Sequence, residues 1–408
     1  MVRIIGLFLC LFFICSSAQS DPLYFEEAVE RALRRSPTLQ IASSEAYSAK
    51  GQQEQSGLYP NPQASFEIEN FAGNNQWRGW GHREERYFYT QLFETANKRQ
   101  LRYQTFSYQY YASLVGYKAA KLVLLNRLSR AFSAVSAAQE LVLVANEQEK
   151  IAKEIYIIAK KKVDYGKDTL IQQKKAEVAY FEAIQAHQNA IIDLNIAKRK
   201  LTLTWGSANP DFTEVFFPFY ELHSPVIFEE CLLHLCNQPE IIQNAYQHLS
   251  AQENWRLEKA NRIPNVTLQA GYKTSYETKD QGLMAGIYIP IPLFDQNQGN
   301  IKQAYFDMLK TGHQGQQLWL LLENKLAVAY EELQRAYSEA KRIKEQTLES
   351  AILAFELAEK GYHEGKFEYL DVLDAQRTLF DVKKKYIEVL NLYHSKRADI
   401  DYLNSQTD

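Results

Sequence analysis

Cysteine, methionine and proline are scarce in this chain, which has 408 residues but only 4 Cys, 3 Met and 11 Pro. So few cysteines exclude a disulfide-held scaffold. The low proline content, together with 46% hydrophobic residues, excludes a disordered or collagen-like chain. An excess of one charge is also missing, since 46 Lys and Arg stand against 49 Asp and Glu. The net charge of -3 is too balanced for a polyanion-binding surface, so we expect no nucleic-acid partner.

Long hydrophobic runs are confined to the N-terminus. A positive residue precedes an apolar run at 4–14 and small residues suit cleavage near Ser20, which predicts a signal peptide at 1–20. Lipidation of Cys15 is disfavoured, because Ile14 stands where a lipoprotein signal needs Gly or Ala. No later segment reaches about 18 uninterrupted apolar residues, so we expect an exported protein without a membrane helix. Transmembrane β-strands stay compatible with this composition, because they are only half apolar.

Sequence markers recur in the same order in the two halves of the chain, about 200 residues apart. The matching segments are 23–37 and 226–239, 59–62 and 263–266, 92–94 and 293–295, and 165–177 and 363–376. This order predicts an internal two-fold repeat. The expected boundaries are a signal peptide at 1–20, a first repeat at 21–205, a connector at 206–225, a second repeat at 226–404 and a tail at 405–408. The connector contains Val215, Phe216 and Phe217, so we expect it to pack against a neighbour.

Each half predicts the same series of elements: a short helix, a helix opened by proline, two strands, a very long helical tract, a turn and a returning helix. The long tracts cover about 98–162 and 300–362, and some 60 helical residues extend roughly 90–100 Å. Gly312, Gly315 with the preceding Gln314, and Gly361 are the expected interruptions of the second tract. Apolar residues three and four positions apart indicate helix-on-helix packing, and a soluble coiled-coil rod would show the same spacing.

The strand pairs are expected at about 62–94 and 265–293, with 266–272 and 283–291 alternating most clearly between apolar and polar residues. A hairpin half-buried in a soluble domain gives the same alternation, and the strands alone favour that interpretation. Four strands cannot close a membrane barrel, however, and open strand edges are not tolerated in lipid. If these strands span a membrane, several copies of the chain must combine them.

Three stretches carry a resemblance to a known family: the strand-to-helix junction at 289–300, the turn and helix start at 365–376, and the repeated helix-proline starts. They resemble the TolC-type outer-membrane factors, and within these the heavy-metal efflux, CzcC-like branch. The resemblance implies a mainly α fold with a small β part, built as a homotrimer. Long helical hairpins would form a tunnel through the periplasm, and four strands per protomer would enter one 12-stranded barrel in the outer membrane of a Gram-negative bacterium.

The same resemblance implies the partners and the function. The chain would be the exit duct of a tripartite efflux system, contacting outer-membrane lipid, a periplasmic adaptor protein and an inner-membrane RND-type pump. Heavy-metal cations are the favoured cargo. The alternatives are an exit duct for drugs or secreted proteins and an exported coiled-coil scaffold without a pore.

Asp371 and Asp374 are the sharpest candidate site residues, because they begin the last helix one turn apart. In a trimer they would place carboxylates around the narrow end of the tunnel, where such rings favour cations. Capping of the helix start is the structural alternative, and the two roles are compatible. The resemblance also maps Tyr362 onto a position that helps to hold this end closed, whereas Phe367 replaces a basic residue of the prototype.

Both hairpin turns are candidate docking surfaces for the adaptor, through Gly166, Leu170, Gly365 and Leu370. Each glycine could equally serve only to turn the chain.

No pattern of catalytic, cofactor-binding or metal-binding residues stands out, so we expect no enzyme, no cofactor and no resident metal. Cys231, His234 and Cys236 lie close in sequence, but Cys236 would lie well around the helix from Cys231. Packing is therefore the favoured role for these residues.

Overall fold

The computed structural model describes residues 22–405 of the chain. The predicted signal peptide at 1–20, including Cys15, lies outside the described residues. The described chain is mainly helical with a small β part, as expected. Its elements are β1 (Leu23–Tyr24), α1 (Phe25–Arg35), α2 (Pro37–Ser56), β2 (Gln63–Glu69), β3 (Glu84–Phe93), α3 (Lys98–Asp164), α4 (Leu170–Thr202), β4 (Val215–Phe216), α5 (Phe228–Leu235), α6 (Pro239–Asn261), β5 (Val266–Ser275), β6 (Asp280–Tyr288), α7 (Gln298–Arg342), α8 (Leu348–His363) and α9 (Tyr369–Leu403).

The helices begin and run as the local sequence requires. Pro37 and Pro239 occupy the first turns of α2 and α6, where a missing N–H leaves no helical hydrogen bond unmade.

The 67 residues of α3 extend about 100 Å. Within residues 22–405, α3 is the one helix with a stretch apolar enough to cross a membrane by composition, and 44% of that stretch is buried in the protein.

The expected interruptions of the second long tract are wrong. Gly312 and Gly315 lie inside the continuous helix α7, and a single π-helical turn at Ile343–Thr347 separates α7 from α8. Gly361 lies inside α8. Gly315 allows close helix contact instead, since a Cβ atom there would lie 2.5 Å from Oδ1 of Asn244 in α6. A Cβ atom on Gly312 would make only an ordinary contact, 3.7 Å from His248.

The chain divides into two compact units, each built from separate stretches of sequence. The first contains residues 22–34, 128–222 and 339–394. The turns at Gly166 and Gly365 are called the hairpin tips below. Near them the core of the first unit contains many alanines among larger residues, which allows helices to pack closely. These core residues are Ile155, Ala159, Ala176, Ala351, Phe355, Ala358, Tyr362, Tyr369, Val372 and Leu379.

The connector packs within this first unit, as expected. β4 pairs in parallel with β1, so that Val215 lies opposite Leu23, and both side chains are buried. The following Phe217 ring contacts the rings of Phe132 and His394. The connector is therefore an integrated part of the unit.

The second unit contains residues 35–127, 223–338 and 395–405, and it holds the four-stranded sheet. All neighbouring strands are antiparallel, in the order β2-β3-β5-β6. The last strand differs from the expectation of 283–291, because β6 covers Asp280–Tyr288. Pro290 and Pro292 have no N–H to give to a strand partner, so the strand ends before them.

Candidate functional site: the two-faced sheet and the hairpin tips

One face of the sheet is apolar and uncovered. The strand registers place Phe66, Tyr87, Tyr272 and Leu283 opposite one another in a single row across all four strands. All four side chains are exposed, and Leu283 is 89% exposed. The same face carries further apolar residues above and below this row: Ala64, Ile68, Tyr89, Phe93, Val266, Leu268, Ala270, Ala285 and Ile287. An apolar face of this extent on a water-soluble surface would be unusual.

The opposite face of the sheet carries charged side chains beside the apolar Phe88, Leu92 and Met284. Its equivalent row places Glu67, Arg86, Lys273 and Gly282 opposite one another. Neighbouring charges pair across the strands, since Arg86 lies 2.7 Å from Glu69 and Lys273 lies 2.6 Å from Glu84. The two faces of the sheet therefore differ in polarity.

A single acidic side chain interrupts the apolar face at its end nearest the loops. The Glu85 carboxylate accepts hydrogen bonds from Arg83 Nε at 3.0 Å, from the Tyr87 hydroxyl at 3.2 Å and from the Tyr276 hydroxyl at 3.3 Å. The Arg83 guanidinium also lies over the Tyr276 ring, 3.3 Å from its centroid. These contacts stabilise the negative charge of the Glu85 carboxylate. Glu85 lies where the apolar face ends and polar residues begin.

The sheet has two open edges within residues 22–405. β2 and β6 are its outer strands, and each pairs with a neighbour on one side only. Their outward backbone groups need a partner, and in lipid an unpaired edge costs several kcal/mol per group. The apolar face and the two outer edges are therefore left uncovered by the described residues.

The two hairpin tips share one backbone motif. Gly166 and Gly365 have positive φ values of 68° and 76°, a conformation that other residues rarely adopt. The N–H of Lys167 donates to Lys162 O, and the N–H of Lys366 donates to Gly361 O, both at 2.8 Å. These are the bonds of a Schellman helix end. Turning the chain is therefore a sufficient reason for both glycines.

The other candidate tip residues lie on the surface at the starts of the returning helices. Leu170 and Leu370 are exposed in the first turns of α4 and α9. Asp371 and Asp374 are both exposed on α9. Asp371 also caps this helix, because its Oδ2 accepts the N–H of Glu368 at 3.0 Å. The capping role proposed as an alternative for Asp371 is therefore present.

Tyr362 lies inside the protein and not on its surface. It is 2% exposed, its ring packs against Tyr369, and within residues 22–405 its hydroxyl has no hydrogen-bond partner. Burial raises the pKa of both tyrosines to about 12. Phe367 covers Gly361, where a Cβ atom would clash with its ring. An apolar ring thus fills the place for which the family resemblance implied a basic residue.

Lys162 was not among the expected site residues, yet it joins the two hairpins. Its ammonium donates to the backbone oxygen of Tyr362 at 2.8 Å and lies 3.4 Å from the centroid of the Tyr362 ring. Burial lowers the pKa of Lys162, and Asp168 partly opposes this effect. Lys162 is the last of three consecutive lysines at 160–162, and no local signal distinguishes it from the other two.

A groove of about 760 Å³ lies beside the first tip, between α3, α4 and α9. Leu170 and Ile171 lie at its tip end, with Lys174, Lys175 and Arg377 among its polar residues. The groove therefore combines apolar contact area with positive charge next to a candidate docking residue.

The short cysteine-containing segment is a packing element. Cys231 is buried in α5, and its Sγ accepts a hydrogen bond from Asn404 Nδ2 at 3.5 Å. Cys236 lies beyond the end of α5 and is exposed. Across the described part of the chain, no group of three or more His, Cys, Asp or Glu side chains is arranged to hold a metal ion.

The fold is that of outer-membrane channel proteins. The structure superposes on CusC, described in terms of folding and transmembrane channel formation, with a TM-score of 0.79 at 17% identity, covering 94% of this chain and 92% of that one. It superposes on the outer membrane protein VceC of Vibrio cholerae with a TM-score of 0.80 at 16% identity, covering 94% and 96%.

The sequence of the chain is also similar to those of known proteins. Residues 233–403 match the family described as "Outer membrane efflux protein". The chain is also 32% identical over 270 residues to the cobalt-zinc-cadmium resistance protein CzcC of Cupriavidus metallidurans. That alignment covers 66% of this chain and spans 65% of the length of CzcC. The sequence of residues 233–403 is therefore similar to that of outer membrane efflux proteins, and the described chain shares the fold of CusC and VceC.

Proposed function

We propose that three copies of this chain form a channel through the outer membrane that serves as the passive exit duct of a tripartite efflux system. The observation that supports it most is the sheet: one face exposes a row of apolar side chains, and the other carries paired charges. Such a sheet suits lipid on one side and water on the other. Twelve strands, four from each of three copies, would remove every open edge.

The long helices would continue this duct through the periplasm. Each protomer would contribute two repeats, 21–205 and 226–404, joined by the connector 206–225, and each repeat would give two strands and one helical hairpin. The order of elements in the two halves supports this division. The chain would do no work on its cargo, so an inner-membrane RND-type pump and a periplasmic adaptor would supply energy and linkage.

The two tips would dock the adaptor, and the narrow end of the duct would be gated there. Leu170 and Leu370 are exposed apolar residues in the first turns of two helices, which suits contact with a partner. Asp371 and Asp374 would form a ring of six carboxylates, two from each copy, which favours cations over anions. Tyr362 would act from within its own protomer, through its contact with Lys162.

Heavy-metal cations are the cargo that we propose. CzcC is described as a cobalt-zinc-cadmium resistance protein, and the similarity to it supports this choice. A duct for drugs or secreted proteins would have the same architecture. Comparing a strain that lacks the gene with its parent separates these cases, because loss of metal tolerance with unchanged dye tolerance supports metal export.

The channel itself is tested in planar lipid bilayers with two lysine substitutions on adjacent residues of β2. Phe66→Lys would put a charge on the apolar face, at a cost of about 2–4 kcal/mol near the bilayer centre, and should abolish insertion. Ser65→Lys changes the same strand on its polar face and should insert and conduct. A wild-type protein that never conducts, or a Phe66→Lys variant that inserts as well as Ser65→Lys, would refute the proposal and favour a scaffold without a pore.

A further inference from the structure

The apolar character of β6 continues past the end of the strand. Residues 289–294, Ile-Pro-Ile-Pro-Leu-Phe, lie between β6 and α7, and we call them the apolar junction. Its side chains are strongly exposed: Ile291 is 77% exposed and Phe294 is 91% exposed. Ile289, Ile291 and Leu293 keep the odd-numbered alternation that puts Leu283 and Ile287 on the apolar face of the sheet.

The corresponding junction after β3 is built differently. There Phe93 is followed by Glu94, whose carboxylate forms two hydrogen bonds with the Arg102 guanidinium, at 2.6 and 3.1 Å. This first junction is polar and closed by an ion pair, whereas the apolar junction contains no charged residue. A general need to connect a strand to a long helix therefore does not explain the apolar side chains.

The backbone of the apolar junction is also suited to a medium without water. Pro290 and Pro292 have no N–H groups, and the N–H of Leu293 donates to the Ile291 oxygen at 2.9 Å. Fewer backbone donors then remain to be satisfied, which lowers the cost of burial in lipid. The same prolines prevent the junction from continuing β6 as a strand paired with another copy.

The junction stands apart from the body of its own unit. Ile291, Leu293 and Phe294 line a cavity of about 600 Å³ together with Lys98, Arg262 and Asn265. The three side chains still present most of their surface to the outside, since they are 71–91% exposed in the described protomer. Continuity with the apolar face of the sheet indicates which phase this surface contacts.

We infer that the apolar junction is a membrane anchor, in which Ile291, Leu293 and Phe294 insert among the lipid acyl chains at the helix-side border of the outer membrane. This inference rests on the proposed function, since it requires the apolar face of the sheet to contact lipid. The anchor would determine how deeply the barrel sits in the membrane, at the junction between strands and long helices. Only the second repeat would provide this anchor.

Depth-dependent fluorescence quenching tests the anchor in the full-length trimer reconstituted into lipid vesicles. Three single-cysteine variants, in a background whose other cysteines are replaced, would carry the fluorophore NBD: Phe294→Cys, Leu283→Cys and Leu233→Cys. Leu283 reports the lipid-facing strand. Leu233 is the matched control, because it is 76% exposed but lies in α5, outside the sheet. The quencher is phosphatidylcholine with a nitroxide near the top of its acyl chain.

The anchor predicts strong loss of NBD fluorescence at positions 294 and 283 and little loss at 233. Quenching at 283 without quenching at 294 would overturn the anchor and leave the channel proposal intact, and this is the result expected if a second copy covers the junction. Absence of quenching at both positions would overturn the anchor and the proposed function together. Equal quenching at all three positions would also overturn the anchor, because the label would then report adsorption to the vesicle.

Discussion

The Lys162 ammonium lies 3.4 Å from the centroid of the Tyr362 ring and donates a hydrogen bond to the backbone oxygen of the same residue, which is 200 positions away in the sequence. This contact ties the end of α3 to the end of α8 within the first unit. The side-chain stem of Lys162 packs beside the ring while its charge is partly removed from water. The contact therefore combines attraction to the ring with a desolvation cost, as the lowered pKa of Lys162 indicates.

Removing the Lys162 side chain should loosen the tip. Lys162→Ala deletes the packed stem, the hydrogen bond and the contact with the ring, at an expected cost of about 1–2 kcal/mol. In single-channel recordings the variant should spend more time in the higher-conductance state. Lys162→Met keeps the stem and removes the buried charge, so it should have the smaller effect. Lys161→Ala, one residue earlier and exposed, is the control, and equal behaviour of the two alanine variants would contradict the prediction.

The packing of the tip should fail at alkaline pH. Burial raises the pKa of Tyr362 and Tyr369 from 10 to about 12, so the packed tip favours the neutral phenols. Their contribution to stability is complete below pH 10 and is lost as the pH rises through about 12. A titration of tyrosinate absorbance should contain several late groups, and the double variant Tyr362→Phe, Tyr369→Phe should remove two of them. Tyr165→Phe, at an exposed position, is the control; a loss of late absorbance equal to that of the double variant would show that the assignment is wrong.

Neutralising the two aspartates of α9 should weaken block of the channel by multivalent cations. Asp371→Asn keeps an oxygen that can still accept the Glu368 N–H, so the helix cap survives while the charge is lost. Combined with Asp374→Asn, it removes all six proposed ring charges. Bilayer recordings with added multivalent cations would measure the block. Unchanged block would remove the carboxylate ring from the mechanism.

Gly271→Ala should destabilise the sheet. An added Cβ atom would lie 2.5 Å from Cδ1 of Phe88 and 2.8 Å from the backbone oxygen of Tyr87, and overpacking of this kind costs about 1–3 kcal/mol. Gly282→Ala is the matched control in the next strand, because no atom lies within 4 Å of its added Cβ. Thermal denaturation of the purified protein in detergent should show a lower midpoint for Gly271→Ala alone. Equal midpoints would mean that the sheet relaxes around the methyl group.

Charge at the exposed leucines of the tips should disconnect the channel from its partner. Leu170→Glu and Leu370→Glu lie in the first turns of their helices, where an acidic residue suits the helix dipole, so folding should be kept. Metal tolerance of the strain should fall while single-channel conductance stays unchanged. Loss of conductance would show that these residues act in the duct. Unchanged tolerance would remove them from the docking surface.

The first long tract and the start of the strand at 266 could be predicted because a local pattern determines each of them. Helical spacing over 98–162 predicted α3, and alternation from Val266 predicted the start of β5. The prediction of the second tract was less accurate, because a local pattern cannot show whether a glycine breaks a helix or allows close contact with another helix. Gly315 contacts Asn244, a residue about seventy positions earlier, and no nearby residue signals that contact.

The residues of the candidate site also divide into those that a local pattern predicts and those that depend on tertiary packing. Leu170, Leu370 and the two aspartates could be selected from their place at helix starts, and all four side chains are exposed. The burial of Tyr362 and its contact with Lys162 could not be predicted in this way, because both depend on how two hairpins pack. A lysine in a charged run is usually solvated, so sequence reasoning passed over the residue that joins the tips.

The sequence by itself determined the order of helices and strands, the helix ends at proline and glycine, and the alternation that gives each strand two faces, because these depend on neighbours within a few residues. Only the tertiary structure decided that Phe66, Tyr87, Tyr272 and Leu283 share one row, since strand register depends on pairing between distant segments. That row turns four separate amphipathic strands into one continuous apolar surface.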